Sequence, residues 1–270
     1  MPIIAMTKEM GSLGTFIGLE VARQLGYEFL RNDIVKAAAR EYRALEGRLV
    51  GAVEQAPGFL ERLGRRGRRY QVYIQAAVLD AALRERVLLM GRWSTIILRG
   101  VRHAVRVRVC APAGVRAQRV MKRFGIEHAE AVRRITGYDE GVRARMRQLF
   151  DVDWTDPLLY DLVINTEAVT LESGVRQVLA LAAAPEFQPT EESRSDLRNQ
   201  ALAARVRATL KATAAMAATD VDVRATDGRV LLDGVVGSDE EREGAERVAR
   251  GVPGVVAVTS EVKVFRRPVR

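Results

Sequence analysis

Four short apolar runs, at 2–6, 87–91, 104–111 and 159–166, are separated by stretches of helical periodicity, and this alternation constrains the fold more than any other feature of the chain. Strands joined through helices return parallel to one another. The pattern therefore predicts an α/β domain, a parallel sheet with helices on both faces and a ligand site at the carboxyl ends of the strands. The run AVRVRV at 104–109 sits uneasily in it, because Arg106 and Arg108 interrupt the continuous apolar pattern of a strand covered on both sides.

Helical and alternating periodicity both lapse at 182–195, where two prolines lie among polar and charged residues. The stretch reads as a linker and divides the chain into a first domain at 1–183, a connection at 184–193 and a second module at 194–266. In the second module a helical pattern at 196–214 precedes strands at 220–225 and 229–236, which flank the turn signal TDG. Ser238 and Glu241 have capping-box spacing and open a helix through Arg250, and a last strand follows at 255–264. The predicted order is αββαβ, a small α+β unit of about 75 residues expected to bury its own core.

Lys and Arg number 43 against 34 Asp and Glu, a formal charge of +9 that falls almost wholly before residue 190. The planar guanidinium fork suits phosphate, so the excess invites a nucleotide or nucleic-acid reading, although joint enrichment in Ala, Val and Arg is equally the mark of a coding bias. The densest cluster, LERLGRRGRRY at 60–70, with Tyr70 and Tyr73 has the charge and rings of a nucleic-acid surface, but no nucleic-acid module accompanies it. A loop meeting a small anionic substrate explains it as well, and no specific nucleic-acid partner is expected. His103 and His128 stand apart from any Cys or carboxylate at metal-ligand spacing, so no protein-bound metal is expected. No apolar run approaches the roughly 20 residues of a membrane helix. The opening MPIIAMTKEMG lacks a basic region leading into an apolar stretch, and Cys110 is the one cysteine, which together favour the cytoplasm.

The first apolar run enters TKEMGSLGTFIGLEVARQLG, a loop with Gly11 and Gly14 followed by an amphipathic helix carrying Ile17, Val21 and Leu25. Glycines allow backbone amides to turn toward an anion, and the helix adds free N–H groups and the positive end of its dipole. Set on the pattern GxxxxGK[ST] with Gly14 as its second glycine, Glu9 takes the first glycine position, Thr15 the lysine and Phe16 the hydroxyl residue. Lys8 or an arginine elsewhere would have to supply the cation.

The loop and helix, together with VLLMGRWSTIILRG and DWTDPLLYDLVINTE, resemble the cytidylate kinase-like family of P-loop nucleoside monophosphate kinases over about residues 1–183. The resemblance implies a P-loop kinase-like fold, with Gly11, Ser12, Leu13, Gly14 and Thr15 around the donor phosphates. It also implies that Arg92 and Asp33 face the acceptor, with ATP and Mg²⁺ as cofactors of an active enzyme. Three departures stand out. Thr15 replaces the family's usual arginine, Trp93 follows Gly-Arg where cytidylate kinases have aspartate, and Arg31 occupies the usual acidic position close to Asp33. Asp33 has the alternative role of an acid at a helix N-terminus. Lys8, Arg116 and Arg119 are the candidate catalytic cations, the two arginines on a lid formed within 113–147. Arginines at helical spacing are equally the mark of a solvated face.

The segment DGRVLLDGVVGSDEEREGAERVARGVPGVVAVTSEVKV resembles a BON domain, with Gly228, Val230, Leu232, Gly234, Ala245, Ala249, Val252, Gly254 and Val258 on its turn, strand and helix positions. The resemblance implies an interaction module with an unknown protein or membrane-surface partner, and self-association into a homo-oligomer is an open alternative. Two functional readings follow. One is a kinase that transfers a phosphoryl group from ATP to a nucleoside monophosphate or another small acceptor. The other is a catalytically degenerate adaptor whose output is the BON module.

Overall fold

The computed structural model describes residues 1–31, 33–42, 66–217 and 219–265. Most of the basic cluster at 60–70 lies outside the described residues, as does the side chain of Asp33.

Five parallel strands form the first sheet: β1 (Ile3–Lys8), β2 (Glu28–Leu30), β3 (Val87–Met90), β4 (Ala104–Cys110) and β5 (Leu162–Asn165), in the order β2-β3-β1-β4-β5. β2 is an addition to the strands expected from sequence, since three residues are too few to show a period. Helices α1 (Gly14–Leu25) and α7 (Leu171–Ala183) cover one face, burying Ile17, Val21, Val175 and Val178 against Ile4, Met6, Val105 and Val107. On the other face Ile3, Ala5 and Leu89 meet α3 (Arg66–Ala82), which lies beside α2 (Asp33–Glu41). A short α4 (Ser94–Ile97) follows β3, and α5 (Ala113–Phe124) and α6 (His128–Phe150) form an antiparallel pair beyond β4.

The two arginines in β4 are accommodated because alternate residues serve different faces. Val105, Val107 and Val109 complete the core under α1. On the opposite side Arg106 pairs with Asp161 at 2.6 Å, and the same carboxylate accepts from the Arg106 backbone N–H at 2.7 Å. Arg108 pairs with Glu9 at 2.6 Å, donates to the Thr155 carbonyl and lies 5.3 Å from the Trp154 ring. The pairing partners come from loops, which a strand-by-strand pattern does not reveal.

The stretch at 184–193 is not wholly linker. A 3₁₀ turn at Pro185–Phe187 leads to Thr190, whose hydroxyl accepts from the Ser193 N–H while Ser193 reciprocates at the Thr190 N–H, and this capping box starts α8 at Glu191. α8 (Glu191–Ala212) then belongs to two cores. Leu197, Ala201, Ala204 and Ala208 pack into the first sheet's core against α3, whereas Leu202, Val206 and Leu210 pack into the second module. Ion pairs reinforce the first contact, Arg194 with Glu85 at 2.8 Å and Arg205 with Asp80 at 3.1 Å.

In the second module β6 (Asp220–Thr226) and β7 (Arg229–Val236) are antiparallel, α9 (Asp239–Arg250) is capped by Ser238, and β8 (Ala257–Ser260) and β9 (Lys263–Val264) run parallel to β7. The single last strand expected from sequence is thus two. Leu232↔Ser260 and Val235↔Lys263 keep one register, and the break lies opposite Gly234, which has φ 143°. A Cβ there would lie 2.3 Å from the Asp220 carbonyl, so only glycine fits.

Candidate functional site

The β1–α1 loop lies at the carboxyl end of the central strand, as an α/β sheet requires of its ligand site. Leu13 adopts φ 63° at the start of α1, and Gly11 has φ 82° with its α-carbon pressed against the backbone of Arg116, where a Cβ would come within 2.8 Å of the carbonyl. Gly14 is equally constrained, since a Cβ would lie 2.7 Å from that of Lys8 and 3.1 Å from that of Val109. Gly14 and Thr15 begin α1, so their N–H groups have no carbonyl a turn behind them.

Around the loop opens a cleft of about 760 Å³, lined by Gly11, Ser12, Leu13, Gly14 and Thr15. Six cations also line it, Lys8, Arg31, Arg92, Arg119, Lys122 and Arg123, against a single acid among the described residues, Glu9. That acid is already engaged. One Glu9 oxygen accepts from Arg108 at 2.6 Å, and the other meets the Ala111 N–H at 3.2 Å and Arg116 at 3.3 Å. The cleft therefore presents an excess of positive charge, with Ile74, Val78 and Met90 as an apolar wall.

The structure separates the candidate cations. Lys8 lies at the end of β1 with its stem along Gly14. Arg119 lines the cleft and braces the loop, donating to the Thr166 hydroxyl at 2.9 Å and carbonyl at 2.7 Å, while Thr166 donates to the Ser12 carbonyl. Arg116 lies behind the loop and does not line the cleft. It is buried, paired with Asp139 at 2.7 Å, and donates to the Ala111 and Met10 carbonyls. The lid role expected for Arg116 gives way to a scaffold role, because its donor directions are taken by Glu9, Asp139 and loop carbonyls. Ser12 also faces inward, donating its hydroxyl to the Glu9 carbonyl at 2.9 Å, so only its backbone is placed for an anion.

Arg92 lines the cleft 4.6 Å from the Tyr138 ring, and the Tyr138 hydroxyl donates to the Lys8 carbonyl. Trp93 turns into the core, edge-to-face with Phe150 at 5.3 Å. Phe16 is half exposed, and Arg123 lies 5.9 Å from its ring. Burial pushes the Cys110 thiol up, away from nucleophilic character.

Fit to the expected cofactors divides. The glycine loop and six cations suit the phosphates of a nucleotide. Magnesium does not fit equally well: it takes one or two carboxylates beside substrate phosphates, and the one carboxylate among the described lining residues is held by two arginines. No group of three or more metal-ligating side chains occurs among the described residues.

Sequence reasoning missed the Glu9–Arg108–Arg116–Asp139 network, although Arg108 as a charge within a buried strand was its visible trace. It also passed over Lys122 and Tyr138, which carry no motif.

A parallel sheet whose central strand runs through a glycine loop into the first helix, beneath a cationic cleft, defines a P-loop kinase-like protein. Residues 3–168 match the model of the cytidylate kinase-like family, and the chain belongs to that family. Residues 198–265 match the BON domain. Among curated proteins the chain is similar to a cytidylate kinase of Methanopyrus kandleri, 37% identical over 95 residues that make up 32% of this chain and 49% of that protein. It is also similar to a cytidylate kinase of Ignicoccus hospitalis, 25% identical over 182 residues, 66% of this chain and 97% of the relative. The chain thus spans about half the length of the first of these. A solved structure of an uncharacterized protein from Eubacterium ventriosum shares the fold, with a TM-score of 0.54 at 14% identity, over 68% of this chain and 99% of the other. No helix among the described residues is long and apolar enough to cross a membrane.

Proposed function

We propose that the cleft binds a nucleoside triphosphate through the loop amides and transfers its terminal phosphoryl group to a nucleoside monophosphate. The observation that carries this reading is the surplus of six cations over one neutralised acid around a glycine loop. Phosphoryl transfer is driven by positioning and by positive charge on the transferring group. In this reading Lys8 and Arg119 supply that charge beside the loop, and Arg92, which also lines the cleft, receives the acceptor phosphate.

The acids among the described lining residues favour the same acceptor. A hydroxyl must lose its proton as it attacks, and the described lining residues hold no disengaged carboxylate to take it. A phosphate monoester is ionised already, since its second pKa is about 6. One of its oxygens can form the new P–O bond while the bond to the bridging oxygen breaks and the nucleoside diphosphate leaves, with no proton transferred.

A second reading, a nucleotide-binding adaptor without turnover, is favoured by Thr15 and Phe16 at the lysine and hydroxyl positions and by the burial of Trp93. In both readings the BON domain is an interaction module. Titrating ATP, CTP, CMP and dCMP into the full chain by calorimetry, with and without Mg²⁺, and following nucleoside diphosphate release, separates them. Binding with release establishes the kinase, binding without release the adaptor, and no binding removes both.

A further inference from the structure

A second cavity, of about 520 Å³, lies at the opposite end of the sheet from the phosphate loop, where the two cores meet along α8. His103 and Glu85 line it from the first domain, Leu197, Arg198 and Asn199 from α8, and the turn at Asp227 from the BON domain. Its size falls in the range of small-molecule sites, roughly 300–1,000 Å³.

His103 is 1% exposed, and neither of its ring nitrogens has a hydrogen-bond partner. A buried polar group without a partner is costly and uncommon. Burial pushes the imidazole pKa down, with Arg194 and the N-terminal amine acting in the same direction and Glu85 opposing. The ring is therefore neutral near pH 7, with one nitrogen to donate and one to accept.

The charged groups around it are unequally committed. Glu85 is tied to Arg194 at 2.8 Å and Arg205 to Asp80 at 3.1 Å, while the Asp227 carboxylate at the rim accepts from the Ser195 hydroxyl at 3.4 Å. Arg198 pairs only at the surface, with a Glu191 side chain 77% exposed, and such a pair resists rearrangement weakly. Arg198 is the cation that turns inward at least cost, and Leu83, Leu197 and Leu202 supply an apolar floor.

We propose that this cavity is a second binding site, for a small organic anion whose oxyanion head is held by Arg198 and His103 and whose apolar body rests on the three leucines. Because the cavity is walled by both domains, such a ligand fixes the BON domain against the kinase-like domain. The site is independent of nucleotide binding in the cleft.

The chain has two histidines, His103 and His128, which makes the test local. The isotope-labelled full chain is titrated near neutral pH with benzoate in one arm and phenyl phosphate in the other, and the imidazole resonances are followed by NMR. A saturable shift of His103 with His128 unmoved, in either arm, is the expected result, and the responding arm tells a carboxylate from a phosphate ester. Arg198→Gln should weaken that binding about tenfold, the worth of one charge-assisted hydrogen bond. Gly14→Val should leave it unchanged. A His103 signal that follows neither probe, or an isotherm unaltered by Arg198→Gln, overturns the proposal.

Discussion

Arg108 holds one oxygen of Glu9 at 2.6 Å beneath the β1–α1 loop, and Arg116 approaches the other at 3.3 Å. The acid that stands in place of a P-loop glycine is thereby a foundation of the loop, its charge matched by two arginines.

Removing one partner of a buried pair leaves an uncompensated charge, which costs about 3–5 kcal/mol. Arg108→Met should lower unfolding free energy by an amount of that order in urea titrations. A loss below about 1 kcal/mol would show that Arg116 alone satisfies Glu9.

Gly14→Val should abolish measurable ATP binding, because the side chain would collide with Lys8 and Val109 and displace the loop from its strand. Calorimetry with circular dichroism as a folding control checks this. Unchanged affinity in a folded variant would remove the loop from the binding site.

Arg116 and Arg123 should divide in their effects. Arg123→Gln, at an exposed cleft residue, should weaken triphosphate binding several-fold and change stability by no more than about 0.5 kcal/mol. Arg116→Gln should instead destabilise the fold, because it empties a buried node between Glu9 and Asp139. Paired melting curves and isotherms read both quantities, and the reverse pattern would restore Arg116 as a ligand-facing cation.

Much of this division was hidden in the sequence. The arginines at 116, 119 and 123 form one helical series, yet their neighbours differ: Asp139 and Glu9 for the first, Thr166 for the second, the Phe16 and Phe124 rings for the third. Apart from Phe124, those partners lie far away in the chain, so spacing alone cannot sort a lid from a scaffold. The apolar runs, by contrast, made four of the five strands legible, most directly β1 and β3, where burial on both faces writes itself into consecutive residues. Similarly, α8 was hidden at its start: its first turn is polar, and the capping box of Thr190 and Ser193 is built from two hydroxyl residues, a weaker sequence signal than Ser with Glu.

His103 gives a pH dependence whose sign is fixed. Its folded-state pKa lies below the ordinary 6.5, so the unfolded chain binds the proton more readily. The associated stability is present above pH 6.5 and is lost as pH falls through the folded value. His103→Leu should flatten the melting temperature over that acidic window, and an unchanged slope would assign the acid sensitivity to other groups.

Leu197→Ala and Val206→Ala lie on the two sides of α8, and the first should cost about 2–5 kcal/mol. Each should lower the melting temperature of the whole chain in a single transition. Two separate transitions, only one of them moved by each substitution, would show independent units.

The BON match begins at residue 198, about two turns inside a helix that starts at Glu191. A recombination that exchanged the C-terminal module at that point would graft a foreign helix whose outer side had never met α3. A designed exchange of the C-terminal module must therefore carry Leu197, Ala201, Ala204 and Ala208 along with it.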